Sequence, residues 1–356
     1  MITEFEIRNF RCFKHVKQTG LQRFNLLVGE SGSGKTALLE AIFLAGGSNP
    51  EIYFRLRRWR GFGETVTMSA TRDGYESFFR DLFYNFDQES GARIQFTASS
   101  SGRRILDIFY QDDDVLHLPL KTNSTGSEDL FSVVPIVFKW EGQKRITESR
   151  VTLTDTGMLR MNGSRDVYLM TFVSSLTLEP RANAVRFSDL SKRGKSSLAL
   201  SAMQAVYPQI QELTVEFIAG EPMLHAALEG IEEKYPIANL SGGMNKYLSI
   251  VLSILSVPHG VVVIDEIENG FYYKDLRKII NGILSLSSTN GSQIFATTHS
   301  YELLQAVASA IDSNISLSSD VALMRLNKNN PCAPATIHLV QGKNYLSAID
   351  SNFEMR

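Results

Sequence analysis

Gly29-Glu30-Ser31-Gly32-Ser33-Gly34-Lys35-Thr36 fits the pattern G-x-x-x-x-G-K-[ST]. Its neighbours give the pattern its meaning. Before it, Phe24-Asn25-Leu26-Leu27-Val28 reads as a short apolar strand. After it, Ala37 to Ala45 carries Leu38, Leu39, Ile42 and Phe43 at helical spacing. Strand, glycine-rich loop and helix in that order are the context of a phosphate-binding P-loop. The glycines let the backbone wrap an anion, so that N–H groups and the helix N-terminus point at it. Gly29, Glu30, Ser31, Gly32, Ser33, Gly34, Lys35 and Thr36 are therefore the nucleotide-binding candidates. Lys35 is suited to reach the β- and γ-phosphates, and the Thr36 hydroxyl to ligate Mg²⁺.

Working outward, the totals narrow the class. The chain has 356 residues, 43% hydrophobic and 21% charged, enough for one large or two ordinary domains with a sizeable core. A net charge of −2 excludes a global basic field for nucleic acid while leaving room for a local patch. The two cysteines, Cys12 and Cys332, match no metal spacing and read as packing thiols in a reducing compartment. Met-Ile-Thr-Glu-Phe-Glu at the start has no basic run followed by an apolar one, so no signal peptide is expected. No stretch approaches the roughly 20 apolar residues of a membrane span. The expectation is a cytoplasmic protein with no membrane partner.

Ile2 to Phe13 begins as a strand, and His15 to Thr19 is suited to pair with it. Residues 46–72 look irregular. There Arg55, Arg57, Arg58 and Arg60 surround Trp59, which reads as a solvated loop in preference to a phosphate-backbone contact. Glu76 to Phe86 has a helical aromatic side, and alternating strands follow at 94–96, 105–109, 133–137 and 168–173. Asp112-Asp113-Asp114 reads as a hairpin turn, since no glutamate is placed to complete a second metal site. Ser99 to Gly102 and Thr122 to Gly126 are loop tips, Phe187 to Val206 is largely helical, and Leu213–Ile218 and Met223–Leu228 read as strands.

Three later stretches complete the P-loop. Val261-Val262-Val263-Ile264-Asp265-Glu266 suits a buried parallel strand with acids at its C-terminal end, where a P-loop protein keeps its Mg²⁺ carboxylate. Asp265 is thus the metal candidate beside Thr36. Glu266 is the candidate base for an attacking water. Leu240-Ser241-Gly242-Gly243 opens a helix and offers a second anion-binding terminus. Gln293 to Ser300 is an apolar strand ending in Thr-Thr-His-Ser, where His299 is suited to donate to a γ-phosphate.

The order Gly29–Thr36, Leu240-Ser-Gly-Gly, Ile264-Asp-Glu, Thr298-His-Ser resembles that of ABC-type ATPases. A closer resemblance is to the AAA-ATPase-like group that supplies the ATPase half of OLD-family (overcoming lysogenization defect) proteins. It is carried by Ile7-Arg-Asn-Phe-Arg-Cys-Phe13, Asp265-Glu-Ile-Glu-Asn-Gly270, Ala296-Thr-Thr-His-Ser-Tyr-Glu302 and the ending Asn352-Phe-Glu-Met-Arg356. Departures are Ser31 for the group's asparagine, Met244-Asn245 where transporter ATPases have glutamine, and Phe271-Tyr272 for leucine and histidine. The resemblance implies a homodimer with ATP and Mg²⁺ sandwiched at the interface. Ser241, Gly242 and Gly243 would then clamp the γ-phosphate in trans. It further implies that Glu266, His299 and Lys35 are catalytic, and that Arg11, like a basic residue of SMC-like repair heads, contacts phosphate. Gln88 and Gln95 are the positions available for the Q-loop glutamine. No room for a TOPRIM nuclease domain is expected.

The expected fold is α/β: a P-loop ABC-ATPase head with a mixed sheet, formed by residues 1–50 and 186–356, and an inserted α+β arm or lid over 51–185. The expected function is that of an ATP-hydrolysing dimeric switch acting on a separate effector, a nuclease or toxin, in phage defence or a toxin–antitoxin-like pair. The alternative is a RecF-like or SMC-like DNA-repair head that binds nucleic acid directly. A transporter ATPase subunit and a non-catalytic binding module are the remaining readings. The missing coiled coil counts against SMC, and Glu268-Asn269-Gly270 in place of Ser-x-Leu-Asp against RecF and transporters.

Overall fold

The computed structural model describes residues 1–61, 72–111, 116–119, 130–143, 145–153, 159–161, 167–176, 179–330 and 332–341. Asp112 to Asp114, Thr122 to Gly126 and the ending 352–356 lie outside these.

The chain opens with a hairpin, β1 (Ile2–Phe10) and β2 (Phe13–Thr19), in which Ile7 faces Val16 and Phe10 faces Phe13. Then come β3 (Phe24–Val28), the P-loop and α1 (Lys35–Ala45). Next are α2 (Glu51–Trp59), α3 (Arg72–Arg80), β4 (Ala92–Ala98), β5 (Gly102–Tyr110), β6 (Leu116–Pro119), β7 (Leu130–Val133), β8 (Ile136–Glu141), β9 (Ile146–Leu153), β10 (Leu159–Met161) and β11 (Met170–Val173). Two helices, α4 (Pro180–Lys192) and α5 (Ser196–Val206), lead to β12 (Ile210–Ile218), β13 (Glu221–Leu228) and β14 (Tyr235–Pro236). The remainder is α6 (Gly242–Ser256), β15 (Val261–Ile264), α7 (Leu276–Asn290), β16 (Gln293–Thr297), α8 (Tyr301–Ser313), β17 (Val321–Asn327) and β18 (Thr336–Gln341).

The site rests on a sheet of order β11-β15-β16-β3-β17-β18, parallel except for its last pair. β3, β15 and β16 are buried throughout, which is why apolar residues dominate them. Side chains alternate between two cores. Val262 and Ile264 face the core made with α4 to α8, while Val261 and Val263 face the one that holds α1. A second sheet, β10-β9-β8-β5-β4-β1-β2, is antiparallel and closes that second core. α1 lies between the sheets, touching β1, β4 and β5 on one side and β11, β15 and β16 on the other. Apart from Thr36 it is buried along its whole length.

The stretch expected as an inserted arm is joined to the head at both edges. β4 pairs with β1, and β11 pairs with β15. Local expectations differ in places, and the stretch 46–72, expected to be irregular, holds α2. The run 133–137 is split into β7 and β8 because Pro135 has no N–H to give a ladder. The helix expected over 76–86 ends at Arg80, because Phe83 is extended and bridges Phe10, and a short 3-10 turn follows at Tyr84–Phe86.

The basic spot is not a solvated loop. Arg57 is buried, its guanidinium 4.2 Å from the Phe78 ring centroid, with Nη1 donating to Asp81 (3.1 Å) and to the Tyr53 hydroxyl (2.9 Å). Trp59 stacks on Phe172 (4.9 Å, 17°) and donates from Nε1 to Glu179 (3.0 Å). Arg57 and Trp59 therefore fix α2 to α3 and β11, while Arg58 is exposed. Among the described residues, no helix is long and apolar enough to cross a membrane.

Candidate nucleotide site

The parallel order places the C-terminal ends of β11, β15, β16 and β3 at one edge, where open α/β sheets bind ligands. Those ends carry Ser174-Ser175, Asp265-Glu266, Thr298-His299 and the P-loop. Asp265 is at the convergence. Its Oδ1 accepts from the Thr36 hydroxyl (3.0 Å) and the Thr297 hydroxyl (2.8 Å), and its Oδ2 from the Ser175 hydroxyl (3.1 Å). Glu266 follows in a left-handed conformation, φ 45°, held by its own N–H donating to Thr297 Oγ1 (2.7 Å). A non-glycine residue rarely adopts that conformation, and such strain gathers at functional loops.

In the P-loop, Gly34 ends the turn at φ 105°. A Cβ there would sit 2.5 Å from the Cys12 thiol, so the loop and the β1–β2 turn meet only because residue 34 is glycine. Lys35 is buried, and its Nζ donates to the carbonyls of Gly29 (2.8 Å) and Glu30 (2.9 Å). Burial lowers its pKa to about 8, against the opposing pull of Asp265, Glu266 and Glu268. An ammonium held only by neutral carbonyls in a desolvated place is poised for an anion.

Two recesses flank Thr36. A cleft of about 570 Å³ is lined by Ser31, Gly32, Gly34, Lys35, Arg11, Glu266 and His299, among others. A smaller one of about 250 Å³ holds Asp265, Ser175, Glu40, Arg60 and Glu266. His299 is exposed, its N–H donating to Glu268 (2.7 Å). Arg11 sits at φ 50°, with Nη1 3.0 Å from the Glu40 carboxylate. Among the described residues, its buried Nε and Nη2 and the Ser33 hydroxyl have no hydrogen-bond partner. Arg60 also binds Glu40, Nη2 to Oε2 at 2.8 Å, so Glu40 of α1 draws two arginines to the rim. Gln95 lies on β4, donating to Glu6, and neither it nor Gln88 lines the cleft. Ser175 is the polar side chain that reaches Asp265 from the arm's side.

The signature stretch lies elsewhere. Ser241 caps α6, its Oγ accepting from Met244 N–H (3.1 Å). Ser241 and Gly242 are exposed, and neither they nor Gly243 line the chain's own cleft. Gly243 is packed so tightly that a Cβ would lie 2.7 Å from the Gly270 carbonyl, which ties the start of α6 to the loop after Glu266. One turn on, Lys246 is buried and donates to the carbonyls of Asp265 (2.9 Å) and Ser174 (3.0 Å). Burial lowers its pKa to about 8. Lys246, Ser175, Thr297 and Glu40 escaped the sequence reading. Lys246 in α6 and Glu40 in α1, each a charge among apolar helix positions, carried a signal.

The donors suit a hard cation: a hydroxyl and a carboxylate converge at Thr36 and Asp265. Among the described residues no three His, Cys, Asp or Glu side chains cluster as a metal cage, so Mg²⁺ here would take its other ligands from phosphate and water.

Comparison with known proteins agrees with this geometry. A family profile described as "AAA ATPase domain" matches residues 1–150, and one described as "AAA domain, putative AbiEii toxin, Type IV TA system" matches 176–305. An "ATP/GTP phosphatase" of Helicobacter pylori is 21% identical over 87% of this chain and 88% of its own. The "DNA replication and repair protein RecF" of Nitrosococcus oceani is 49% identical, but over only 21% of this chain and 18% of its own. An SMC head solved with the C-terminal winged-helix domain of ScpA has the same fold, with a TM-score of 0.51 at 13% identity, covering 97% of this chain and 99% of its own. The P-loop and the acids at its parallel edge agree with the two ATPase-domain matches in marking this chain as a P-loop ATPase, and the likeness to the SMC head is one of fold.

Proposed function

We propose that the chain binds ATP with Mg²⁺ and hydrolyses it as a head-to-head dimer whose closing and opening act on a separate effector. The observation that carries the reading is the position of Ser241 and Gly242. They form an exposed, capped helix N-terminus that does not line the chain's own cleft. A terminus of that kind attracts anions, and in a second copy it would meet the γ-phosphate.

In this mechanism the P-loop amides and Lys35 hold the β- and γ-phosphates, Lys35 exchanging the Gly29 and Glu30 carbonyls for phosphate oxygens. Arg11 contributes the two N–H groups it leaves unpaired. Thr36 and Asp265 would hold Mg²⁺, which when bound neutralises charge on the phosphates. Glu266 takes the proton of the attacking water, with Asn269 Nδ2 close to its Oε2 (3.4 Å) to orient it. His299 donates to the γ-phosphate oxygen. Residues 51–185 act as the arm on which an effector bears, since β11 and Ser175 join that stretch to Asp265.

The description of the profile matched at 176–305 names a toxin of a type IV toxin–antitoxin system. It supports placing the cycle in such a pair, with a toxin as effector, while phage defence and a nuclease effector rest on the resemblance to OLD-family proteins. Phosphate release by the purified chain with Mg²⁺ and ATP tests the reading. No release above background, even with the neighbouring gene product and DNA present, would end it. The short but close match to RecF supports a second reading, a repair head that binds DNA directly. DNA binding that weakens steeply with salt would favour it.

A further inference from the structure

The cleft does not end at the phosphates. Beyond Gly34 and Lys35 it runs between two loops from distant parts of the chain: Phe83 to Phe86 on one side, and Lys328, Cys332 and Ala333 on the other. The first loop is unusual. Asn85 (φ 49°) and Phe86 (φ 61°) are consecutive residues in the left-handed region, which side chains other than glycine seldom occupy. The conformation is held from both ends. Phe83 bridges Phe10, the N–H of Arg11 donates to the Leu82 carbonyl (2.9 Å), and Asn9 Nδ2 donates to the Asp87 carbonyl (2.8 Å). The turn is thus fixed to the same Arg11 corner that faces the phosphate end. Tyr84 spans the gap, its hydroxyl 3.5 Å from the Cys332 carbonyl.

The result is an aromatic ring left out in the open. Phe86 is 55% exposed, although large apolar side chains are normally buried. The Arg80 guanidinium lies over the ring, 4.8 Å from its centroid. A cation on one face of an aromatic ring leaves the other face free for a flat π system. Tyr84 is committed to Cys332 through its hydroxyl, whereas Phe86 has no polar atom to satisfy.

We infer that the 83–86 turn is the base-recognition element of this ATPase, and that Phe86 stacks on the nucleobase of the bound nucleotide, opposite Lys328, Cys332 and Ala333. The inference rests on the reading of the cleft as the nucleotide site and adds the contact that tells a nucleotide from a bare polyphosphate. The base-holding contact would then come from the stretch joined to β1 and β4, so the arm would register whether a nucleotide occupies the P-loop.

The test compares two probes, Mg²⁺–ATP and Mg²⁺–tripolyphosphate, by titration calorimetry on the full chain. Wild type, Phe86→Ala and Phe86→Tyr are used, with equal thermal unfolding as the control on folding. Stacking on an aromatic is sequence-tolerant and typically strong enough to be worth about ten-fold or more in affinity. Phe86→Ala should therefore weaken ATP by about that factor and leave tripolyphosphate unchanged, and Phe86→Tyr should restore ATP. Unchanged ATP binding by Phe86→Ala, or an equal loss for both probes, would overturn the inference while leaving the nucleotide site intact. A wild type that binds neither probe would overturn the nucleotide-site reading, and this inference with it.

Discussion

Glu266 and Asp265 are neighbours in sequence, yet the structure gives them different surroundings. Asp265 accepts from three hydroxyls, a cradle that leaves it no freedom to turn. Glu266 is turned out of the strand by its positive φ and lines both recesses beside Thr36. Glu266→Gln should cut phosphate release by about 10²–10⁴-fold, the usual effect of losing a general base. ATP binding should persist, and paired turnover and calorimetry check both halves. Gly34→Ala acts on the same site through the backbone. At φ 105° and with the Cys12 thiol in the way, it should cost roughly 1–3 kcal/mol and weaken ATP binding, measurable by urea unfolding and calorimetry.

Among the elements, α6 links the two halves of the proposed composite site. Its first turn is packed on the Gly270 carbonyl, and Lys246 in its second turn holds the carbonyls of Asp265 and Ser174. Any shift of Ser241 is therefore passed to Asp265 of the same chain. Gly243→Ala should separate the helix start from the 266–270 loop. Turnover should fall in a phosphate-release assay while P-loop binding of ATP, measured by calorimetry, holds. Lys246→Met removes a buried donor to the carbonyls of Asp265 and Ser174 and should destabilise the chain by about 1–3 kcal/mol in urea unfolding.

These links show what the sequence could and could not tell. The P-loop and the Val261–Glu266 run are local patterns, legible because strand, turn and helix follow one another within a few residues. Ser175 and Thr297 are ordinary residues in sequence. They become ligands of Asp265 only because the sheet order sets β11 and β16 on either side of β15, and strand order is a non-local property. The basic spot around Trp59 misled for a related reason. Arg57 and Arg60 look solvated until their acids, Asp81 and Glu40, arrive from other elements.

For the whole molecule, the reading of two sheets around one helix makes the arm part of the head's stability. Trp59 is the residue to test, since it stacks on β11 and binds Glu179. Trp59→Ala should cost about 3–5 kcal/mol, read as a lowered unfolding midpoint. The dimer proposal is tested at this scale too. Glu266→Gln with Mg²⁺–ATP should sediment at twice the mass it shows without nucleotide. A single monomeric species in both conditions would rule out the sandwich.

α1 has sheets on both sides and no solvent face beyond Thr36. A helix enclosed in this way cannot fray or tilt by itself, so its amide hydrogens should exchange with water only when the entire head unfolds. The phosphate loop is then mounted on the least yielding part of the chain. In deuterium-exchange mass spectrometry its helix should serve as a fixed reference, against which nucleotide-dependent changes elsewhere can be measured.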